Sequence, residues 1–233
     1  MPNYPKQIKM LVAVDCIIFG FDGNELKILL IQRAMQPSKG KWSLMGGFIQ
    51  SDEDLSTAAA RVLQKLTGLS NIYLEELHSF SNPKRDPLER TISVAYFSLI
   101  DISTYEKQLT NEYHAEWFPL KKIPTLIFDH NKMVDKAKLR LQYKAAFHPI
   151  LFELLADKFT LPQLQNLYEN VYDSNIDKRN FSRKVLSTGL LVKQNHKEKT
   201  NSKKGAFYYK LNKKKYEANF HTVLNIIPNP NTV

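Results

Sequence analysis

Several features that define large protein classes are missing from this 233-residue sequence. It contains one cysteine, Cys16, which excludes an internal disulfide. No apolar run approaches the roughly 18 residues of a transmembrane helix, and no secretion leader with a cleavage site is evident. We therefore expect a cytoplasmic protein with no membrane partner. Cys16 lies in an apolar run, where we interpret it as a small buried side chain rather than a nucleophile.

Positive charge is concentrated in one part of the chain. The formal net charge is +10, but residues 176–215 contain thirteen Lys or Arg against two acidic residues, a net charge of +11. The remainder therefore carries −1. A basic block beside a near-neutral body is typical of a nucleic-acid-binding module, although a solvated lysine-rich face has a similar composition. The length suits two domains, each with its own core.

The first 150 residues alternate between strand-like and helix-like patterns. Strands are predicted at residues 11–19, 26–32, 72–80, 91–100 and 115–120, and helices at about 54–67 and 130–147. Strands interrupted by helices predict an α/β sandwich around a mixed sheet. Gly68 suits the end of the first helix, and we interpret Asp129 and His130 as capping the second rather than as a catalytic pair.

After His148-Pro149 the order of elements predicts a winged helix. Residues 150–155 could extend a connecting helix, Thr160 opens a helix to about 172, and Asp177 caps another from 178 to about 190. A polar basic loop at 194–204 and a strand at 207–211 complete the hairpin. We accordingly divide the chain into residues 1–150, residues 151–226 and a flexible tail at 227–233.

The second helix of this winged helix carries a polar face suited to the major groove, where Arg reads guanine and Asn reads adenine. The candidate DNA-binding residues are Arg179, Asn180, Arg183 and Lys184 on the helix, and Lys203 and Lys204 in the hairpin loop. An ordinary amphipathic surface helix would look similar. The joint occurrence of a basic helix and a basic wing favours binding to double-stranded DNA.

The segment GFIQSDEDLSTAAARVLQKLTGL, residues 47–69, has the spacing of a metal-dependent loop and helix and resembles the Nudix box. In an active box, glutamates one, four and five residues after the arginine hold Mg²⁺ or Mn²⁺. Here Val62, Lys65 and Leu66 follow Arg61 at those positions. We therefore expect no catalytic residues, no metal, no cofactor and no enzymatic activity. Glu53, with Asp52 and Asp54 beside it, stands at the start of the helix, where acidic side chains commonly cap the helix or interact with its dipole.

Both halves together resemble the Nudix-related transcriptional regulators. Besides the box, the resemblance rests on VDCIIFGFDGNELKILLIQR at residues 14–33, NPKRDPLERTISVAYF at 82–97, FTLPQLQNLYE at 159–169 and DKRNFSRKVLSTGLL at 177–191. It implies that residues 1–150 bind an effector and form a homodimer, and that residues 151–226 bind a palindromic operator. Met45 and Lys204-Gly205-Ala206 depart from the family, where proline and Arg-Pro-Ala are usual.

The resemblance places Asp15, Arg33, Lys41 and Trp42 near the effector, and members of the family respond to ADP-ribose-like nucleotides or to pentoses. A tryptophan face with few charged groups suits a sugar, because a diphosphate without a metal would need more cations. We predict a repressor of an arabinose or pentose utilisation operon, released by L-arabinose or another pentose. The alternatives are an ADP-ribose-sensing regulator of NAD metabolism, an active Nudix pyrophosphate hydrolase with a nucleic-acid-binding appendage, and an RNA-processing adaptor.

Some of these residues also have other interpretations. Trp42 could belong to the core, and Arg33 could pair with Glu53. Arg85 and Arg90, in a polar loop with two prolines, could contact a diphosphate or a second copy of the chain.

Overall fold

The computed structural model describes residues 8–110, 112–199 and 205–219. The elements as far as residue 147 are the strands β1 (Leu11–Phe21), β2 (Leu26–Gln32), β3 (Trp42–Ser43), β4 (Met45–Phe48), β5 (Glu75–Phe80), β6 (Thr91–Asp101) and β7 (Glu116–Pro119), the helices α1 (Leu55–Thr67), α2 (Ile102–Tyr105) and α3 (His130–Phe147), and 3-10 turns at Glu106–Gln108 and Leu120–Lys122. The predicted bounds of β2 and α3 agree with those of the structure.

The seven strands form one mixed sheet. β1 and β6 are parallel along their whole length, from Leu11 opposite Thr91 to Phe21 opposite Asp101. All other pairings are antiparallel: β1 with β2 and β4, β2 with β3 and β7, and β5 with β6. The predicted mixed sheet is confirmed.

Helices cover both faces of this sheet. Alternate residues of a strand point to opposite sides, so each strand contributes side chains to two cores. On one side, Cys16 and Ile18 of β1 pack in the same core as α1; on the other, Ile17 and Phe19 pack in the same core as α3. Cys16 is fully buried, and burial raises the pKa of its thiol. It is a core side chain, as predicted.

Local signals in the sequence determine where α1 begins and ends. The Asp54 carboxylate accepts a hydrogen bond from the Thr57 N–H at 2.7 Å, which is the geometry of an N-cap. The helix ends at Gly68, which has a φ of +82°. A Cβ there would lie 2.3 Å from the Gln108 carbonyl oxygen, so a larger residue would meet both strain and a backbone clash.

The remaining elements form a winged helix, as predicted. They are a 3-10 turn at Ile150–Leu154, β8 (Phe159–Thr160), α4 (Leu161–Tyr172), α5 (Lys178–Ser187), β9 (Leu191–Glu198), β10 (Ala206–Leu211) and α6 (Lys213–Asn219), with the strands in the order β8-β10-β9. Thr160 and Gln163 form a reciprocal capping box at the start of α4. None of the helices in the described residues is long and apolar enough to cross a membrane.

Three local predictions for this half are wrong. Residues 194–198 belong to β9 rather than to a loop, because β10 pairs with them and the Phe207 ring lies under the ammonium groups of Lys193 and Lys197, at 3.7 and 4.5 Å. Residues 150–154 form a separate 3-10 turn because His148, which precedes a proline, is extended. α5 ends at Ser187, earlier than predicted. The predicted tail at 227–233 lies outside the described residues.

The winged helix packs directly on the sandwich. One continuous hydrophobic core contains Leu141 of α3 together with Leu167 and Tyr168 of α4. The Gln142 side-chain amide of α3 donates to the Val171 carbonyl at 2.8 Å, and the Tyr172 hydroxyl donates to the Gln142 carbonyl at 2.8 Å. α3 therefore contacts the winged helix near its C-terminal end.

Candidate ligand cleft and nucleic-acid interface

A cleft of about 340 Å³ opens where β1 changes its neighbour in the sheet. The C-terminal end of β1 pairs with β2 at residues 19–21, whereas residues 13–16 pair with β4. Beyond its pairing with β1, β2 continues to residues 31 and 32, which pair with β3, while β7 pairs along the other side of β2 at residues 27–30. The cleft is lined by β1, β4, α1, the segment after β2, the β5–β6 loop and the start of α3.

A buried polar network forms one wall of this cleft around Asp15 of β1. The Ser93 hydroxyl donates to Asp15 Oδ2 at 2.5 Å, and Arg85 Nη2 lies 3.5 Å from the same oxygen. Arg85 also makes a two-point contact with Asp129, with Nε–Oδ2 at 3.1 Å and Nη2–Oδ1 at 2.9 Å. A Cβ at Gly46 would lie 2.3 Å from Asp15 Oδ1, so the network also requires a glycine on β4.

Asp129 is the N-cap residue of α3, as predicted, but its side chain does not cap the helix. Asp129 directly precedes α3, but its carboxylate makes no capping hydrogen bond and pairs with Arg85 instead. The first residue of the helix, His130, accepts a hydrogen bond at Nδ1 from the Leu44 N–H at 3.2 Å. Burial lowers the pKa of His130, which favours the neutral ring. Its proton is then on Nε2, which lies 3.6 Å from Asp15 Oδ1.

The opposite wall is α1, the helix of the Nudix-like box. Arg61, Val62, Lys65 and Leu66 all line the cleft, so this frame brings the positions of the missing glutamates to the ligand space. Glu53 lies beside them and accepts hydrogen bonds from Arg61 and from the Gln50 N–H, and the Arg61 contact lowers the pKa of Glu53. Among the described residues, no group of three or more His, Cys, Asp or Glu side chains is arranged to hold a metal ion.

Two of the four predicted effector residues line the cleft and two do not. Asp15 and Arg33 line it. Arg33 does not pair with Glu53; its Nε donates to the Met35 carbonyl at 3.1 Å, and its guanidinium lies 5.4 Å from the centre of the Phe128 ring. Lys41 is exposed, and the Trp42 ring packs edge-on against Phe118 at 4.6 Å. Contact of Lys41 and Trp42 with an effector stays a prediction.

The structure places further residues in the cleft, among them Arg85, for which contact with a diphosphate was one of two interpretations. The additional charged and aromatic lining residues are Phe48, Arg61, Lys65, Arg85, Asp86, Tyr113, Phe128 and His130. The box spacing could have indicated Arg61 and Lys65, because side chains three and four residues apart share a helix face. No local signal indicates Arg85, which reaches Asp15 across 70 residues of sequence. The lining now contains four cationic side chains and two acidic ones.

α5 presents the predicted polar face. Phe181 and Val185 are buried under the helix, whereas Arg179, Asn180 and Arg183 are exposed and Lys184 is half-buried. The Asp177 carboxylate accepts the Asn180 N–H at 2.8 Å and so caps the helix, as predicted. Arg183 Nη2 donates to Asn180 Oδ1 at 3.0 Å, which links two candidate base-reading side chains. Base contact by this face stays a prediction, and Lys203 and Lys204 lie outside the described residues.

Both parts of the chain match known domain families. Residues 9–137 match the NUDIX domain, and residues 151–211 match the NrtR DNA-binding winged helix domain. This combination defines a class of protein in which a Nudix domain is followed by a winged helix domain of a DNA-binding family.

The comparisons with whole proteins narrow this class. The chain is 36% identical over 226 residues to the ADPR responsive transcriptional repressor NtrR of Acinetobacter baylyi, covering 95% of this chain and 89% of that protein. The crystal structure of Shewanella oneidensis NrtR complexed with a 27mer DNA superposes with a TM-score of 0.75 at 30% identity, covering 88% of this chain and 95% of that one. The Nudix domain of the same Shewanella protein, complexed with ADP ribose, superposes at 0.53 and 31% identity, covering 60% of this chain and 94% of that one. The chain therefore belongs to the NrtR-type family of Nudix-related transcriptional regulators.

Proposed function

We propose that this protein is a transcriptional repressor whose operator binding is weakened by ADP-ribose in the Nudix-like cleft. The observation that carries the proposal is the cationic lining of the cleft, formed by Arg33, Arg61, Lys65 and Arg85, in a chain that also carries a basic helix. The similarity to an ADPR responsive repressor and to a Nudix domain complexed with ADP ribose supports ADP-ribose as the effector. These comparisons do not support arabinose, so the nucleotide alternative replaces the pentose prediction.

The physical reason for this change is the number of cations in the cleft. The preference for a pentose depended on Arg33 and Lys41 as the cations near the ligand, which is too little charge for a diphosphate without a metal. The cleft instead has three further cations, contributed by α1 and by the β5–β6 loop. Phe128 and Tyr113 add aromatic surface of the kind that stacks on a base or packs against a ribose.

We propose that the cleft binds its ligand and does not hydrolyse it. Val62 and Leu66 offer no oxygen ligands and Lys65 would repel a divalent cation, while the carboxylate of Glu53 is held by Arg61. We expect no turnover of ADP-ribose with Mg²⁺ or Mn²⁺, measured as release of AMP. Turnover that is abolished both by a chelator and by Glu53→Gln would show instead that the box is catalytic.

DNA binding is assigned to the second half. We propose that residues 1–150 bind the effector and dimerise, and that residues 151–226 bind DNA, with α5 in the major groove. A single winged helix contacts a short site with modest affinity, so two copies related by a two-fold axis would read a palindromic operator. Such a regulator acts on DNA in the cytoplasm.

α3 provides a direct route between the two sites. Its N-terminal end meets the cleft through Asp129 and His130, and its C-terminal half holds α4 through Gln142. A ligand that displaces Arg85 or Asp129 would shift this helix as a unit, and with it the spacing of two paired winged helices. Only a ligand that binds one of the two arrangements more tightly can change the affinity for DNA.

The test is a titration of the full-length protein on a fluorescent operator duplex, selected from random sequences for binding to this protein. ADP-ribose is expected to weaken operator binding about 5- to 150-fold, corresponding to about 1–3 kcal/mol of coupling. NAD, AMP, L-arabinose and ribose are compared at the same concentrations. Release by a pentose but not by ADP-ribose would refute the effector assignment, and release by none would leave a DNA-binding protein that does not sense these ligands.

A further inference from the structure

Lys65 occupies the position at which the Nudix box places a metal-binding glutamate, four residues after Arg61. In the structure its exposed side chain lies on α1 and lines the cleft, one helical turn from Arg61 and between Val62 and Leu66. Among the residues that the structure describes, none forms an ion pair or a side-chain hydrogen bond with its ammonium group. Lys65 therefore brings a positive charge to the cleft wall, and no described residue pairs with it.

The other cations of the cleft are more heavily engaged. Arg61 donates to both oxygens of Glu53 and to the Phe48 carbonyl. Arg85 is buried between Asp129 and Asp15. Arg33 has no acidic partner among the described residues, but its guanidinium is held by the Met35 carbonyl and lies over the Phe128 ring. Lys65 and Arg33 thus supply the two positive charges of the lining that no described acid neutralises.

We propose that Lys65 replaces the divalent metal of a Nudix enzyme, and that its ammonium binds the diphosphate of the effector directly. The inference rests on the proposed function, because it presupposes a nucleotide that carries a diphosphate. An ammonium provides charge and three hydrogen-bond donors, which suffices to bind phosphate oxygens. It cannot bind a water molecule as a Lewis acid or lower its pKa, so the same substitution favours binding and removes the means of hydrolysis.

The residues beside Lys65 strengthen this interaction. Val62 is 3% exposed, and a Cβ on Gly47 would come within 2.8 Å of its Cγ2, so β4 lies close against this part of α1. Leu66 is half-buried. Apolar side chains at both of these positions place no carboxylate beside the ammonium, so its Coulomb attraction for a phosphate is not offset there. In an enzyme of this class, the same two positions would add negative charge.

The experiment measures ADP-ribose binding to the full-length protein by calorimetry, in EDTA and in Mg²⁺, at several salt concentrations. Wild-type affinity is expected to be the same in EDTA and in Mg²⁺. Lys65→Gln, which keeps a polar side chain one atom shorter and removes the charge, is expected to weaken binding about 10- to 100-fold, the range for a charge-assisted hydrogen bond. It should also make the affinity less dependent on salt. Lys136→Gln is the matched control, since Lys136 is exposed on α3 and outside the cleft.

The outcomes separate the two proposals. If ADP-ribose binds but requires Mg²⁺, or if Lys65→Gln binds as tightly as Lys136→Gln, Lys65 does not replace a metal, although the effector assignment stands. If the wild-type protein binds no ADP-ribose in either buffer, the effector assignment fails and the role of Lys65 fails with it. Lys65 lies in the last turn of α1, where a cation also stabilises the helix dipole. Thermal unfolding of both variants measures that structural contribution separately.

Discussion

Replacing Arg85 by methionine is expected to lower the free energy of unfolding by about 3–5 kcal/mol, the cost of removing one partner from a buried ion pair. Arg85 is 4% exposed at its side chain and contacts Asp15, 6% exposed, and Asp129, 13% exposed. Methionine fills a similar volume but leaves two buried carboxylates without their cation. Urea unfolding followed by circular dichroism and extrapolated to water measures the change.

The neighbouring Arg90 provides a control from the same loop. Its guanidinium donates at 3.3–3.4 Å to the carbonyls of Thr91 and Asn82, and no acid pairs with it in the part of the chain that the structure describes. Arg90→Met should therefore cost less than about 1 kcal/mol, in the range of surface substitutions and exposed pairs. Equal losses for the two variants would contradict the proposed burial of a charge pair.

A double variant tests whether Asp129 is the partner that matters. Adding Asp129→Asn to Arg85→Met removes one of the two unpaired carboxylates while retaining the side-chain volume. The double variant should be more stable than Arg85→Met alone, because deleting both partners of a buried interaction costs less than deleting one. If the second substitution destabilises the protein further, Asp129 has another structural role.

How far the sequence could predict the structure depends on the range of the interactions involved. The end of α1 followed from the short-range signal of Gly68, and the end of α3 from the break at His148-Pro149. The role of Asp129 did not, because its partner Arg85 lies 44 residues away in the chain. A helix-start position and a buried ion-pair position have the same appearance in sequence.

The ligand cleft illustrates the same limit. Its shape arises where β1 exchanges β2 for β4, a property of sheet pairing that no single segment encodes. The resemblance to the family placed Arg33 near the effector, whereas Lys65 was interpreted only as a lost metal ligand. In the structure Lys65 lies on the cleft wall, where it adds a positive charge to the lining. The preference for a pentose counted only Arg33 and Lys41 as cations near the ligand, and the comparisons favour the ADP-ribose alternative.

The length of the first wing strand, β9, was also underestimated, because the pairing of β9 with β10 is not visible in the sequence. Residues 191–198 contain LVKQNHKE, which is too polar to predict a strand by hydrophobic pattern alone. β10 supplies the hydrogen bonds, and Phe207 supplies a ring for the ammonium groups of Lys193 and Lys197. Two positive charges are thereby held on the hairpin, over the ring of Phe207.

The second large effect is expected on α5. Arg179→Ala and Arg183→Ala should each weaken binding to the selected operator by about 1–3 kcal/mol, and should weaken binding to random duplex much less, because a lost base contact affects specific complexes. Fluorescence titrations on both duplexes measure the two affinities. Lys136→Ala removes one positive charge from an exposed position on α3 and so controls for the change in net charge.

The hydrogen bond between Arg183 and Asn180 sharpens this expectation. Because Asn180 Oδ1 accepts from Arg183 Nη2 at 3.0 Å, the two side chains should read the operator as a unit. In a double-mutant cycle, Arg183→Ala and Asn180→Ala should therefore be non-additive by about 0.5–3 kcal/mol, the range for contacting residues. Arg179 has no such bond to either side chain, and its substitution should add to theirs. Arg179→Ala and Arg183→Ala could instead weaken binding to the operator and to random DNA equally. That result would mean that this face contacts phosphates rather than bases. The operator would then have to be read from elsewhere in the chain.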